Sequence, residues 1–189
     1  MYLFFDTETS GLPRNFYADE SDTNNWPRVV QLAWVIAESG DTVKPLENHL
    51  IRPDGFKIDS GATRVHGITT AFARENGRPL RPILDSFLAA VASAKTVVAH
   101  NVDFDTNIIG AECARIGIPN PLRRKPLLCT MKESVDFCRI PSHRGFKWPK
   151  LDELHAKLFQ SEFDNAHDAS SDCLACMRCF FRLKELRAI

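Results

Sequence analysis

Long apolar runs are missing from this 189-residue chain: the most hydrophobic stretch, Val29 to Ala37, is interrupted by Gln31 and falls well short of the ~20 residues a bilayer-spanning helix needs. No membrane partner is expected. Net charge is also missing, since 24 Lys plus Arg balance 24 Asp plus Glu, which excludes a uniformly basic coat or an acidic tail but allows a locally basic groove. Partners must be argued locally. The six cysteines, at 113, 129, 138, 173, 176 and 179, are too sparse and irregular for a disulfide scaffold, so reduced thiols are expected. The opening MYLFFDTE has no basic segment before its apolar run and does not read as a secretory signal, which predicts a cytoplasmic location. Repeats, low-complexity tracts and linkers are absent as well, so residues 1–189 read as one domain, long enough to bury ~70% of its unfolded surface without staples.

Hydrophobic patterning supplies the elements. Tyr2 to Phe5 suits a buried strand that stops at Asp6, and the polar stretch from Thr7 to Pro27 reads as an unusually long loop. Arg28 to Glu38 and Val43 to Ile51 are rich in β-branched residues around Ser39-Gly40-Asp41, which predicts an antiparallel hairpin. Leu80, Ile83, Leu84, Phe87, Leu88 and Val91 recur at helical spacing, Thr96 to Ala99 forms a short strand, and a helix is predicted over Asp105 to Ile116. Further helices fall at Leu151 to Phe159 and Asp168 to Leu186. A hairpin followed by strand–helix alternation implies an α/β fold with a mixed sheet flanked by helices.

Asp6 and Glu8 are two apart, so a strand through them points both carboxylates to one side. Unpaired they would repel; a divalent cation between them removes that cost. A solvated strand end is the plainer reading of Asp-Thr-Glu taken alone. His100-Asn101-Val102-Asp103-Phe104-Asp105 follows a strand and can sit at the carboxyl edge of the sheet, where ligands of α/β folds collect. Spacing does not choose between Asp105 and Asp103, and Asp103 also suits a helix N-cap. In the last helix, Ala169, Asp172, Cys173, Cys176 and Phe180 share one stripe. A carboxylate there is costly unless it meets a cation, which makes Asp172 a candidate ligand. His167 precedes the helix, off that stripe, where a general base could move.

Asp6-Thr7-Glu8-Thr9-Ser10-Gly11-Leu12, His100 to Asp105, and His167-Asp168-Ala169-Ser170-Ser171-Asp172 together resemble the three motifs of the DEDDh 3′–5′ exonucleases, in the proofreading epsilon-subunit branch of the ribonuclease H-like superfamily. Arg28 to Ala33 is similar to that family's second strand, and Val65-His66-Gly67-Ile68-Thr69 to its His-Gly-Ile segment. Ser10 departs from the commoner Thr but keeps a hydroxyl. The resemblance implies a mixed five-stranded sheet whose first three strands are antiparallel. It selects Asp105 over Asp103, because the ligand directly follows the aromatic residue of an Asn-x-x-Phe-Asp pattern. It further implies two Mg2+ or Mn2+ ions on Asp6, Glu8, Asp105 and Asp172, and His167 as general base. Its substrate would be the 3′ end of single-stranded DNA or RNA, with Thr9, Leu12, His66, Asn101 and Phe104 lining the pocket. A polymerase or another replication or repair protein is an expected partner. The alternative is a non-catalytic module of the same fold that binds a nucleic-acid end or a protein.

Charge is uneven despite the neutral total. Between Arg115 and Lys157 ten basic residues face four acidic ones, and Arg144, Lys147 and Lys150 are interleaved with Phe146 and Trp148. That pattern suits a phosphate-contacting segment, and equally a solvated loop. Cys173-x-x-Cys176-x-x-Cys179 lacks a fourth cluster ligand and reads as core packing, as does His155 beside Leu151, Leu154 and Leu158.

Overall fold

The computed structural model describes residues 1–161, 163 and 166–189. In chain order the elements are β1 (Tyr2–Thr9), β2 (Val29–Ala37), β3 (Glu47–Leu50), α1 (Ser60–His66), α2 (Thr70–Asn76), α3 (Leu80–Ser93), β4 (Thr96–Ala99) and α4 (Val102–Arg115). A single 3-10 turn at Pro121–Arg124 leads to β5 (Leu127–Cys129), α5 (Thr130–Glu133), α6 (Val135–Cys138), the small hairpin β6 (Pro141–Ser142) and β7 (Gly145–Phe146), α7 (Leu151–Phe159) and α8 (Ala169–Glu185). The five-stranded sheet has the order β3-β2-β1-β4-β5; β1, β2 and β3 are antiparallel, and β4 and β5 run parallel to β1. This is the mixed sheet the resemblance implies.

Both faces of the sheet are covered, so β1 is apolar on both sides. Leu3 and Phe5 join Phe87 and Val91 of α3 and Ile108 and Ile109 of α4, all fully buried apart from trace exposure. Phe4 faces the other way, into Ala169, Cys173, Cys176 and Phe180 of α8. The Phe4 and Phe180 rings meet edge-on at 5.2 Å, and each buried ring contributes about 2–3 kcal/mol. Cys173, Cys176 and Cys179 are buried thiols in these clusters, as their helical spacing suggested. Among the described residues no helix is long and apolar enough to cross a membrane.

The structure corrects three boundaries and one cap. β1 does not stop at Phe5 but continues to Thr9, because pairing with β2 (Asp6 opposite Ala33, Glu8 opposite Gln31) needs backbone groups and not apolar side chains. The second hairpin strand is shorter than Val43 to Ile51: Val43 makes only an isolated bridge to Ala37, and Pro45, with no N–H to give, interrupts the ladder before Glu47. α4 begins at Val102, three residues before Asp105. Asn101 is its N-cap, so Asp103 is not; it lies in the first turn and pairs with Lys132.

One buried ion cluster ties α4 to the sheet. Glu112, fully buried, accepts from Arg28 Nε at 2.8 Å and from the Val29 N–H at 3.0 Å, and meets Arg115 Nη1 at 3.2 Å. Arg28 Nε also reaches its second carboxylate oxygen at 3.1 Å, so both oxygens have partners, as burying a charge requires.

Candidate active site

Strand alternation places Asp6 and Glu8 on the α8 side of the sheet, at the carboxyl end of β1. Asp172 comes to them from the first turn of α8. One carboxylate oxygen from each of Asp6, Glu8 and Asp172 lies within 4.8 Å of the others. Oxygens bonded to one hard cation at ~2.1 Å are at most ~4.2 Å apart, so a small closing of rotamers completes the span.

Asp105 reaches the same edge from α4. β4 pairs with β1 only as far as Phe4 opposite Val98, so the edge of β1 beyond is free of the ladder. Thr7 uses that freedom, donating its N–H (3.1 Å) and its hydroxyl (2.7 Å) to Asp105 Oδ1. Asp105 is almost wholly buried, and its charge acts on Asp6 even though it stands outside the group of three.

Four crowded acids resist ionisation. Burial, then the charges of Asp105, Asp172 and Glu8, holds the Asp6 carboxyl well above its ordinary range. Burial and the neighbouring Asp172 push Glu8 up to about 8. Asp105 is raised by burial to about 7 against the opposing pull of the Thr7 hydrogen bonds, and Asp172 is raised by burial to about 6. No ion pair reaches any of the four among the described residues. Asp172 Oδ1 is buried with no hydrogen-bond partner. Convergent carboxylate oxygens with an unanswered buried acceptor are what a hard divalent cation would satisfy, so these residues fit such an ion.

His167 stands at the solvent side of the cluster. Its backbone is left-handed (φ 69°), and its N–H donates to Asp172 Oδ2 at 3.2 Å. Asp168, next along, caps α8 by accepting the N–H groups of Ser170 and Ser171 at 3.0 and 3.2 Å. Gln31 then clamps this junction to the sheet: its Nε2 donates to Asp168 Oδ2 at 2.8 Å and its Oε1 accepts the Ala169 N–H at 3.2 Å. In the sequence Gln31 stands out only as the polar residue that interrupts the most apolar run, and the structure places it opposite Glu8.

Beside Glu8 a cavity of about 600 Å³ is lined by Thr7, Thr9, Leu12, Val65, His66 and Phe104 among others. It gathers four of the five residues expected to bind substrate. The fifth, Asn101, lies outside it at the N-cap of α4, with φ 70°. His66 is held neutral in one tautomer: Nδ1 accepts the Ile68 N–H at 3.0 Å and Nε2 donates to Thr9 O at 3.2 Å. Burial and the nearby His167 lower its pKa. Gly67, left-handed at φ 75°, ends α1 and lets the chain turn back for that bond. On the opposite flank, His100 Nε2 donates to Pro149 O at 3.1 Å, which draws the segment carrying Trp148 and Lys150 to the same sheet edge.

Comparison with known proteins decides the family. A model of the RNase T type, described as exonuclease, matches residues 3–180. The chain belongs to this exonuclease family. The chain also resembles the PolC-type DNA polymerase III of Streptococcus agalactiae serotype III (strain NEM316), at 27% identity over 187 residues; the match covers 98% of this chain and 11% of that protein. Among solved structures, E. coli exonuclease I in complex with a dA16 oligonucleotide superposes with a TM-score of 0.77 at 20% identity, covering 99% of this chain and 42% of that one. Exonuclease X in complex with 5′ overhanging duplex DNA gives 0.60 at 21% identity, covering 98% and 92%. These likenesses show that the chain has the ribonuclease H-like fold. The chain spans about a tenth of the polymerase's length and less than half of exonuclease I.

Proposed function

We propose that residues 1–189 form a single metal-dependent 3′–5′ exonuclease domain that shortens single-stranded nucleic acid and releases nucleoside 5′-monophosphates. The observation that carries this reading is the convergence of Asp6, Glu8 and Asp172 within 4.8 Å, with Asp105 fixed beside them through Thr7. Family membership agrees with it, and the solved relatives are described with bound DNA.

Asp6, Glu8, Asp105 and Asp172 would hold two divalent cations, Mg2+ or Mn2+, because all four offer hard oxygen donors. When bound, such a pair supplies Lewis-acid polarisation of the scissile phosphate and a lowered pKa for the attacking water. His167, exposed at the mouth of the cluster, takes the proton from that water as its oxygen bonds to phosphorus. An imidazole suits the task because its ordinary pKa lies near neutral pH. The P–O3′ bond breaks, and the 3′ oxygen leaves with a proton from solvent. Thr9, Leu12, His66 and Phe104 receive the terminal nucleoside in the adjoining cavity. Its apolar walls contact base faces, which every base offers, so binding is tolerant of sequence. Asn101, at the N-cap of α4 with no capping hydrogen bond from its side chain, lies outside that cavity.

The likeness to a PolC-type polymerase supports a replication or repair protein as partner. A non-catalytic module is disfavoured because none of the four acids nor His167 is replaced. The test is a single strand labelled at its 5′ end, incubated with Mg2+ or Mn2+. Stepwise shortening from the 3′ end, abolished by EDTA and by Asp6→Ala, is the expected result. Full activity in Asp6→Ala, or release of label as a mononucleotide at the outset, refutes the reading. Matched DNA and RNA strands in the same assay define the sugar preference.

A further inference from the structure

The connection between β1 and β2 holds two aromatic rings out in solvent while being tightly braced itself. Tyr17 is 96% exposed and Phe16 55% exposed. On one side of them the Asn15 N–H donates to Asn25 Oδ1 at 2.7 Å, Asn25 Nδ2 returns to Asn15 O at 2.9 Å, and the Tyr17 N–H donates to Asn15 Oδ1 at 2.9 Å. On the other side Trp26 Nε1 donates to Asp19 O at 3.1 Å, and Arg123 pairs with Glu20 at 2.6 Å and Asp19 at 3.1 Å. Exposed rings on so well tied a loop form a surface whose ordering cost is met on folding and not on binding.

Phe16 joins that surface to the site. The Phe16 ring lies 6.5 Å from Phe104 at an interplanar angle of 37°. Phe104 in turn lines the cavity that contains Glu8, whose rim also carries the exposed side chains of Leu12 and Val65. Arg14, exposed and two residues before Phe16, makes no ion pair among the described residues, so its cation is available. Flat rings leading away from the catalytic carboxylates, with a cation alongside, match the repeating chemistry of a single strand: base faces that stack and phosphates that carry charge.

We infer that Phe16 and Tyr17 form a stacking platform for the bases upstream of the scissile bond. The inference rests on the exonuclease reading and deepens it. Strands long enough to reach the platform gain affinity that a dinucleotide cannot, and bases locked in a duplex are unavailable to it.

The test compares Phe16→Ala, Tyr17→Ala and the double variant on a dinucleotide and on a 16-nucleotide single strand. KM for the long strand should rise roughly 10-fold for each ring removed, with kcat unchanged, since stacking is lost equally before and during reaction. Dinucleotide hydrolysis should stay within about twofold of the parent. Tyr17→Phe, which keeps the ring, should retain the parent KM. A second arm uses the Asp6→Ala background and oligonucleotides carrying 2-aminopurine two to four positions from the 3′ end. Binding should quench the fluorophore, and Tyr17→Ala should remove the quenching. This arm reads the platform even if the domain cuts nothing, which separates failure of the inference from failure of the exonuclease reading. An unchanged KM together with unchanged quenching in the double variant overturns the platform and leaves the patch to a protein partner.

Discussion

Asp172→Asn should make the metal-free protein more stable and the enzyme nearly inactive. In the folded chain burial lifts the Asp172 carboxyl from 3.8 to about 6. An acid whose pKa is raised by folding binds its proton more tightly in the native state, so it costs nothing below its unfolded pKa and destabilises increasingly as pH rises toward its folded pKa. That rise corresponds to about 3 kcal/mol above pH 6 and shrinks to about 0.5 kcal/mol at pH 4. Asparagine keeps an oxygen for the His167 N–H while removing the charge, and it also relieves Glu8, whose carboxyl Asp172 helps to raise. Metal-free Asp172→Asn should therefore melt about 6–12 °C above the parent at pH 8, with the difference nearly gone at pH 4. Mn2+ at pH 8 should reverse the order, because the parent gains stability from the bound ion and the variant loses a ligand. Activity should fall about 10³-fold, the equivalent of ~4 kcal/mol of transition-state stabilisation. Thermal melts in EDTA and in Mn2+ at the two pH values, run beside the strand-shortening assay, measure all of this. If metal-free Asp172→Asn melts below the parent at pH 8, the picture of mutually repelling acids awaiting a cation is wrong.

Three further outcomes are expected. His167→Ala should lose about 10²–10⁴-fold in kcat while keeping the Mn2+-induced rise in melting temperature, because it removes a base and not a ligand; an abolished Mn2+ response would instead make His167 part of the metal site. The buried thiols of Cys173, Cys176 and Cys179, whose pKa values burial raises, should resist a thiol reagent at pH 8 in the native protein and react at once in denaturant, and rapid native labelling at any of the three would contradict their packing. Arg144→Ala with Lys150→Ala should weaken single-strand binding uniformly across sequences and lower the slope of log affinity against log salt by about 1.4, at ~0.7 per cation on a single strand. A slope identical to the parent's would return that segment to the role of a solvated loop.

Legibility in the sequence tracked how local each interaction is. The Asp6–Glu8 alternation and the stripe that turns Asp172 inward follow from periods of two and 3.6 residues, and both held in three dimensions. Residue spacing could not separate Asp103 from Asp105, and the family pattern was needed. In three dimensions the two stand apart: Asp105 is met by the Thr7 N–H and hydroxyl 98 positions away, whereas Asp103 faces Lys132 at the surface. β5 is only three residues long with Leu127 exposed, so it has no hydrophobic pattern to read, and it exists because β4 offers it an edge. Nothing in the sequence singles out Phe16 and Tyr17 within the long Thr7 to Pro27 stretch; the bracing by Asn25, Asp19 and Glu20 does.

Composition and short-range pattern alone determined that the chain forms a buried mixed sheet under helices, and which acids a strand or helix would turn to a common side. Only the tertiary structure decided that Asp6, Glu8 and Asp172 meet within 4.8 Å, that Gln31 locks the α8 junction beneath His167, and that an aromatic surface leads away from them. Backbone period sets where a side chain points relative to its neighbours in sequence. Which distant groups it then meets depends on strand order, register and helix placement, and those are settled by burying the whole core at once.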